Sequence, residues 1–105
     1  MQQNDAKFSI GQLINHLKTD YRGVIFDIDP VFSGTEDWYE TMAVSRPPKD
    51  KPWYHVLVDG QTYTTYVAER HLTADESGRP ISHPMLDSFF SKFEDGRYQR
   101  QITTN

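Results

Sequence analysis

Lys51–Gly60, KPWYHVLVDG, places two bulky aromatics, Trp53 and Tyr54, and a histidine, His55, directly before the apolar triplet Val56, Leu57 and Val58. Read as a strand, it sends Trp53, His55 and Leu57 to one face and Tyr54, Val56 and Val58 to the other, because successive side chains alternate across a pleated backbone. His55 thus shares a face with core-sized neighbours. Asp59-Gly60 follows, a dipeptide favoured in tight hairpin turns because both residues tolerate positive φ. The next residues, QTYTTYV (61–67), read as the return strand, dense in Thr, Tyr and Val, which suit a pleated surface.

Upstream, YRGVIFDIDP (21–30) alternates Val24, Phe26 and Ile28 with Ile25, Asp27 and Asp29, the period of a half-buried strand that Pro30 ends. FSIGQLINHL (8–17) reads as a first strand, although a helix also fits it. Residues 33–52 are rich in Pro, charged and small residues without a sustained period, which predicts a long excursion between strands. Downstream, AERHL reads as a short turn or 3₁₀ segment and TADESGRPISHP as a polar connector. The last element is expected to be a helix over about 84–94: Pro84 suits its start, Leu86, Phe89, Phe90 and Phe93 fall at i, i+3, i+4 and i+7, and Gly96 caps it. Its face of Phe89, Phe90 and Phe93 is expected to be buried.

With 105 residues the chain is one domain long, 1–105, and no repeat or low-complexity tract divides it. Its 11 Lys and Arg against 15 Asp and Glu give a net charge of -4 without a basic block, which disfavours strong, nonspecific binding to nucleic acid. The absence of cysteine excludes disulfides and thiolate metal sites. Neither a basic-then-apolar leader nor 18 consecutive apolar residues occur, so the expectation is a soluble cytoplasmic protein with no membrane partner.

Few residues are chemically equipped. His16, His55, His71 and His83 lie on different elements, with no i, i+4 pair of the helical metal-site kind, and His55 reads as a packed or interface residue. Asp27 and Asp29 share a strand face, where paired carboxylates hold a cation or divide acid and base roles; they read as solvated residues opposite Val24, Phe26 and Ile28. No nucleophile elbow, phosphate-cradling loop or Walker motif is present. Trp53, Tyr54, Tyr63 and Tyr66 cluster on the hairpin, as core or as a cation-binding cage. Trp38 and Tyr39 stand among acidic residues with no evident core to enter, which marks them as exposed partner anchors.

Taken together, FSIGQLINH, YRGVIFDIDPVF, PWYHVLVD and YVAERHL resemble, in order and spacing, the heat-shock protein HspQ family, also called the hemimethylated-DNA-binding or YccV-like family. The resemblance covers Phe8 to Leu72, and HPMLDSFFSKFEDGRY is similar to the C-terminal helix of many members. Asp20, where glycine is expected, departs from the pattern. The resemblance implies a mainly β fold, an SH3-like barrel of about five antiparallel strands over 8–72, a connector over 73–83 and the C-terminal helix packed on the barrel. It further implies a homo-oligomer, a trimer, and a non-enzymatic, stress-related role without cofactors. That role is either promotion of protein degradation by the ATP-dependent protease Lon, including turnover of the replication initiator, or binding of hemimethylated DNA. Partner-binding candidates are then Trp38, Tyr39, Trp53, Tyr54 and His55, and DNA-contact candidates are Arg46, Lys49 and Lys51; no catalytic or metal-binding residue is expected.

Overall fold

A computed structural model describes residues 5–100. Five strands form one antiparallel sheet: β1 (Leu13–His16), β2 (Arg22–Asp29), β3 (Trp53–Val58), β4 (Thr64–Ala68) and β5 (Leu72–Ala74), in the order β4-β3-β2-β1-β5. A 3₁₀ turn, Glu69–His71, carries the chain from β4 at one edge to β5 at the other. All five strands place a residue in one cluster built on Ile14, Ile25, Tyr54, Val56, Val67 and Leu72, so the sheet curls around this core. The hydrogen-bonded order nevertheless remains open, and the closed barrel expected from the sequence reduces to a curled five-stranded sheet.

The β2–β3–β4 core of the expectation holds, with β3 spanning the quoted WYHVLV. β1 is much shorter than 8–17, because Gly11 at φ 93 breaks the extended chain just before it. Asp20, in place of a glycine, has φ 59, a left-handed conformation that aspartate tolerates. The β3–β4 link is longer than a two-residue turn, running from Asp59 to Tyr63 with positive φ at Gly60 alone of the dipeptide.

Two expectations are corrected. The excursion over 33–52 contains a helix, α1 (Glu36–Met42), started by Thr35, whose hydroxyl accepts the Trp38 amide at 3.1 Å, with Glu36 and Asp37 in the first turn where carboxylates suit the helix dipole. The helix over 84–94 shrinks to α2 (Leu86–Phe89), followed by a hairpin of β6 (Phe90–Glu94) and β7 (Arg97–Arg100). Asp95 and Gly96, at φ 56 and 78, make the turn between them, so Gly96 closes a hairpin rather than capping a helix. Leu86, Phe89, Phe90 and Phe93 do pack on one cluster, with Leu13, Val24, Leu57, Ile81 and Tyr98, but only Phe90 of the three phenylalanines is fully buried.

The outer face of the sheet thus carries two apolar covers. The C-terminal segment lies over Val24 and Leu57, while α1 lies over Trp53 and Ala68 through Tyr39 and Ala43. Between them, the middle of β2, β3 and β4 is left with polar side chains.

Candidate functional site

That polar middle exists because β2 contains a bulge. Val24 stands opposite Leu57 and Ile25 opposite Val56, but the next partners are Asp27 with His55, Ile28 with Tyr54 and Asp29 with Trp53, leaving Phe26 as the extra residue. The extra residue inverts the alternation. Ile28 joins Ile25 on the inner face, and Asp27 and Asp29 share the outer face with Val24, Leu57 and His55, not the face opposite Val24 that strict alternation predicts. Phe26 itself packs outward against the Phe89 ring, centroids 4.6 Å apart, and beside His55 at 5.8 Å.

Asp29 Oδ2 is the hub of the strip. It accepts the Tyr66 hydroxyl at 2.6 Å and lies 3.1 Å from His55 Nε2, while the Tyr66 oxygen accepts the Ser33 amide at 3.0 Å. Burial, followed by the hydrogen bond to the Asp29 carboxylate, pushes the Tyr66 hydroxyl well above its ordinary pKa and keeps it a donor. The His55 and Tyr66 rings pack with centroids 4.5 Å apart and planes tilted by 39°.

Beside this strip a groove of about 610 Å³ runs along β4, to which every β4 residue contributes. Its walls are the end of α1 with Met42 and Val44, the aromatic pair Trp38 and Tyr66, and His16 and His71, of which His71 Nε2 lies 3.3 Å from Ser45 Oγ. β4 is an edge strand, and β3 is the one strand of the sheet that pairs with it. Met42 and Val44 are 60% and 81% exposed, a large apolar presentation next to an unpaired edge.

The residues singled out in the sequence fall into different settings. Trp53 and Tyr54 are fully buried: the Trp53 indole donates to the Pro48 carbonyl at 3.0 Å and the Tyr54 hydroxyl to Glu69 at 2.6 Å. Tyr39, expected at the surface, is 7% exposed, with its hydroxyl donating to the Pro47 carbonyl at 2.6 Å. Trp38 is half-buried against Phe32, Trp53 and Tyr66, because α1 gives both aromatics the core that a loop would have denied them. Of the basic candidates, Arg46 pairs with Glu40 and Lys49 with Glu36, each at 2.7 Å, and the Lys49 ammonium also sits 4.3 Å over the Tyr39 ring. Lys51 is exposed and has no ion pair among the described residues.

A family model described as hemimethylated DNA-binding protein YccV like matches residues 6–97, nearly the whole chain. The chain belongs to this YccV-like family. The matched span of the YccV-like domain encloses the strip, the groove and both edges of the sheet. Among its described residues no helix is long and apolar enough to cross a membrane. Met42, Val44, His16 and His71 were not marked by any sequence pattern, because they come from three separate segments that only the curl of the sheet brings to one groove. Tyr66 was visible as a hairpin aromatic, but its bond to Asp29 depends on the bulge.

Proposed function

We propose that the protein is a non-catalytic accessory factor that promotes degradation of particular or denatured proteins by an ATP-dependent protease of the Lon kind. The observation that carries this reading is the groove along β4. An unpaired strand edge beside exposed Met42 and Val44 suits an extended polypeptide, which adds its backbone to the sheet and seats alternate side chains against the apolar wall. Extended chain is what an unfolded protein offers and a folded one withholds. In this reading residues 1–105 form a single domain, the curled sheet serves as an SH3-like barrel, and the protein works in the cytoplasm as a homo-oligomer, a trimer.

The test is degradation of an unfolded substrate by purified Lon-type protease with and without the protein. Stimulation by the wild type, with the half-maximal concentration raised at least about tenfold by Met42→Asp combined with Val44→Asp, supports the reading, since anchor residues concentrate binding energy. Both positions are exposed, so the fold survives the change. Absence of stimulation by the wild type removes the reading.

The family description favours a second reading, binding of hemimethylated DNA with an effect on replication initiation. Against it stand the net charge of -4 and the pairing of Arg46 and Lys49 with loop carboxylates. If DNA is the ligand, affinity falls with salt at a slope of about -0.9 per phosphate neutralised, Lys49→Gln and Lys51→Gln flatten that slope, and hemimethylated duplex outcompetes the fully methylated one. Equal, weak binding of both duplexes demotes this reading.

A further inference from the structure

We propose that Asp27, Asp29 and His55 bind a divalent transition-metal cation, of the Zn²⁺ or Mn²⁺ class, on the outer face of the sheet. The three side chains present one imidazole nitrogen and two carboxylate oxygens, all within 4.8 Å of one another. With metal–ligand bonds of about 2.0–2.2 Å, neighbouring ligands of a tetrahedral or octahedral ion stand about 3.0–3.5 Å apart. His55 Nε2 and Asp29 Oδ2 already meet that condition at 3.1 Å. Asp27 stands directly opposite His55 in the ladder; its Oδ1 accepts the Ile28 amide at 2.9 Å, and a small movement of the exposed carboxylate closes the set.

Charge supplies a second, independent pointer. Asp29 is partly buried, yet no lysine or arginine pairs with it or with Asp27 among the described residues, so two carboxylates share one patch without a permanent cation. Elsewhere on the same sheet, Asp59 and Asp75 share Arg22. Like charges held together in a half-desolvated site are stabilised by an ion with two charges. The Tyr66 hydroxyl on Asp29, itself fixed by the Ser33 amide, orients the carboxylate in the way outer partners orient metal ligands. The donor set decides the class of ion: the imidazole favours transition ions over Ca²⁺ and Mg²⁺, and the carboxylates admit Mn²⁺ as well as Zn²⁺. Solvent completes the shell on the open side of Asp27.

Two measurements test the site on the full chain. In amide NMR spectra, substoichiometric Mn²⁺ should broaden resonances first around Asp27, Asp29, His55 and Tyr66. By calorimetry, Asp27→Asn should weaken Zn²⁺ binding at least about tenfold, as should His55→Gln, while His16→Gln leaves it unchanged. The last control addresses the other histidine pair, His16 and His71, whose rings lie 5.8 Å apart. Broadening centred on that pair, Zn²⁺ affinity unchanged by Asp27→Asn, or no saturable binding of either ion overturns the proposal.

Discussion

Gly11 and Tyr98 meet backbone to backbone: the Tyr98 amide donates to the Gly11 carbonyl at 2.9 Å, and a Cβ on Gly11 would collide with the Tyr98 carbonyl oxygen. This contact fastens the C-terminal hairpin to the start of the sheet. Gly11 also has φ 93, outside the range that side chains tolerate. Gly11→Ala should therefore cost at least about 2 kcal/mol, combining backbone strain with the collision. Chemical denaturation measures the loss, and amide exchange should accelerate across Phe90–Arg100; a variant as stable as the wild type would show that the hairpin docks elsewhere.

Tyr39 anchors α1. Its ring is buried with Ala43, Trp53 and Ala68, and its hydroxyl holds the Pro47 carbonyl. Tyr39→Ala should cost about 3–5 kcal/mol, as for other buried aromatics, and Tyr39→Phe only about 1 kcal/mol for the lost hydrogen bond. Equal effects of the two substitutions in a urea titration would contradict this packing.

Asp75 gives the acid limb of stability. Burial pushes its carboxyl up, but the hydrogen bond and charge of Arg22 and the Ser77 amide outweigh it and leave the group below the ordinary carboxylate value. A group whose folded value is depressed stabilises the fold above its unfolded value, and this contribution is lost as pH falls through the folded one. Stability should thus drop below about pH 4, near the ordinary aspartate value, and the drop should be shallower in Asp75→Asn. An identical acid slope for the two proteins would rule Asp75 out as the titrating group.

His16 and His71 act at milder pH. Burial lowers both, with the charges of His71 and Lys18 adding to the effect on His16, and those of Lys18 and Arg70 to the effect on His71. The unfolded chain then binds protons before the folded one, so stability is complete above about pH 7 and falls as pH drops through the ordinary histidine value of about 6.5 toward the lower folded values. The melting temperature should be lower at pH 5 than at pH 7. In the combined His16→Gln, His71→Gln variant that decline should shrink; a decline of the same size would reject the assignment.

The strand WYHVLV, its return partner and the 3₁₀ turn were legible because β-branched and aromatic runs bounded by breakers carry their own signal. Three features were not. The bulge leaves no mark in VIFDID, where apolar Phe26 and Ile28 invite assignment to one face, and only the partner strand reveals that they separate. α1 is seven residues long, too short for a period to emerge, although Thr35-Glu36-Asp37 carried its start signal. At the C-terminus the spacing of Leu86, Phe89, Phe90 and Phe93 mimicked one helix, and Asp95-Gly96, the stronger turn signal, was read as a cap. The candidate site suffered most from the first of these, since the meeting of Asp27, Asp29 and His55 depends on the bulge.

Phe26 is, in ladder terms, a supernumerary residue. Excising it would join Ile25 to Asp27 with the β3 partners Val56 and His55 already consecutive, giving an uninterrupted alternation through Asp29. The sheet's register therefore does not require this position; the Phe89 ring that rests on it does. A β2 one residue shorter would keep the ladder with β3 and lose the ring contact to Phe89, so a gap of one residue at this point and a change in the Leu86–Phe93 segment should occur together in chains of this fold.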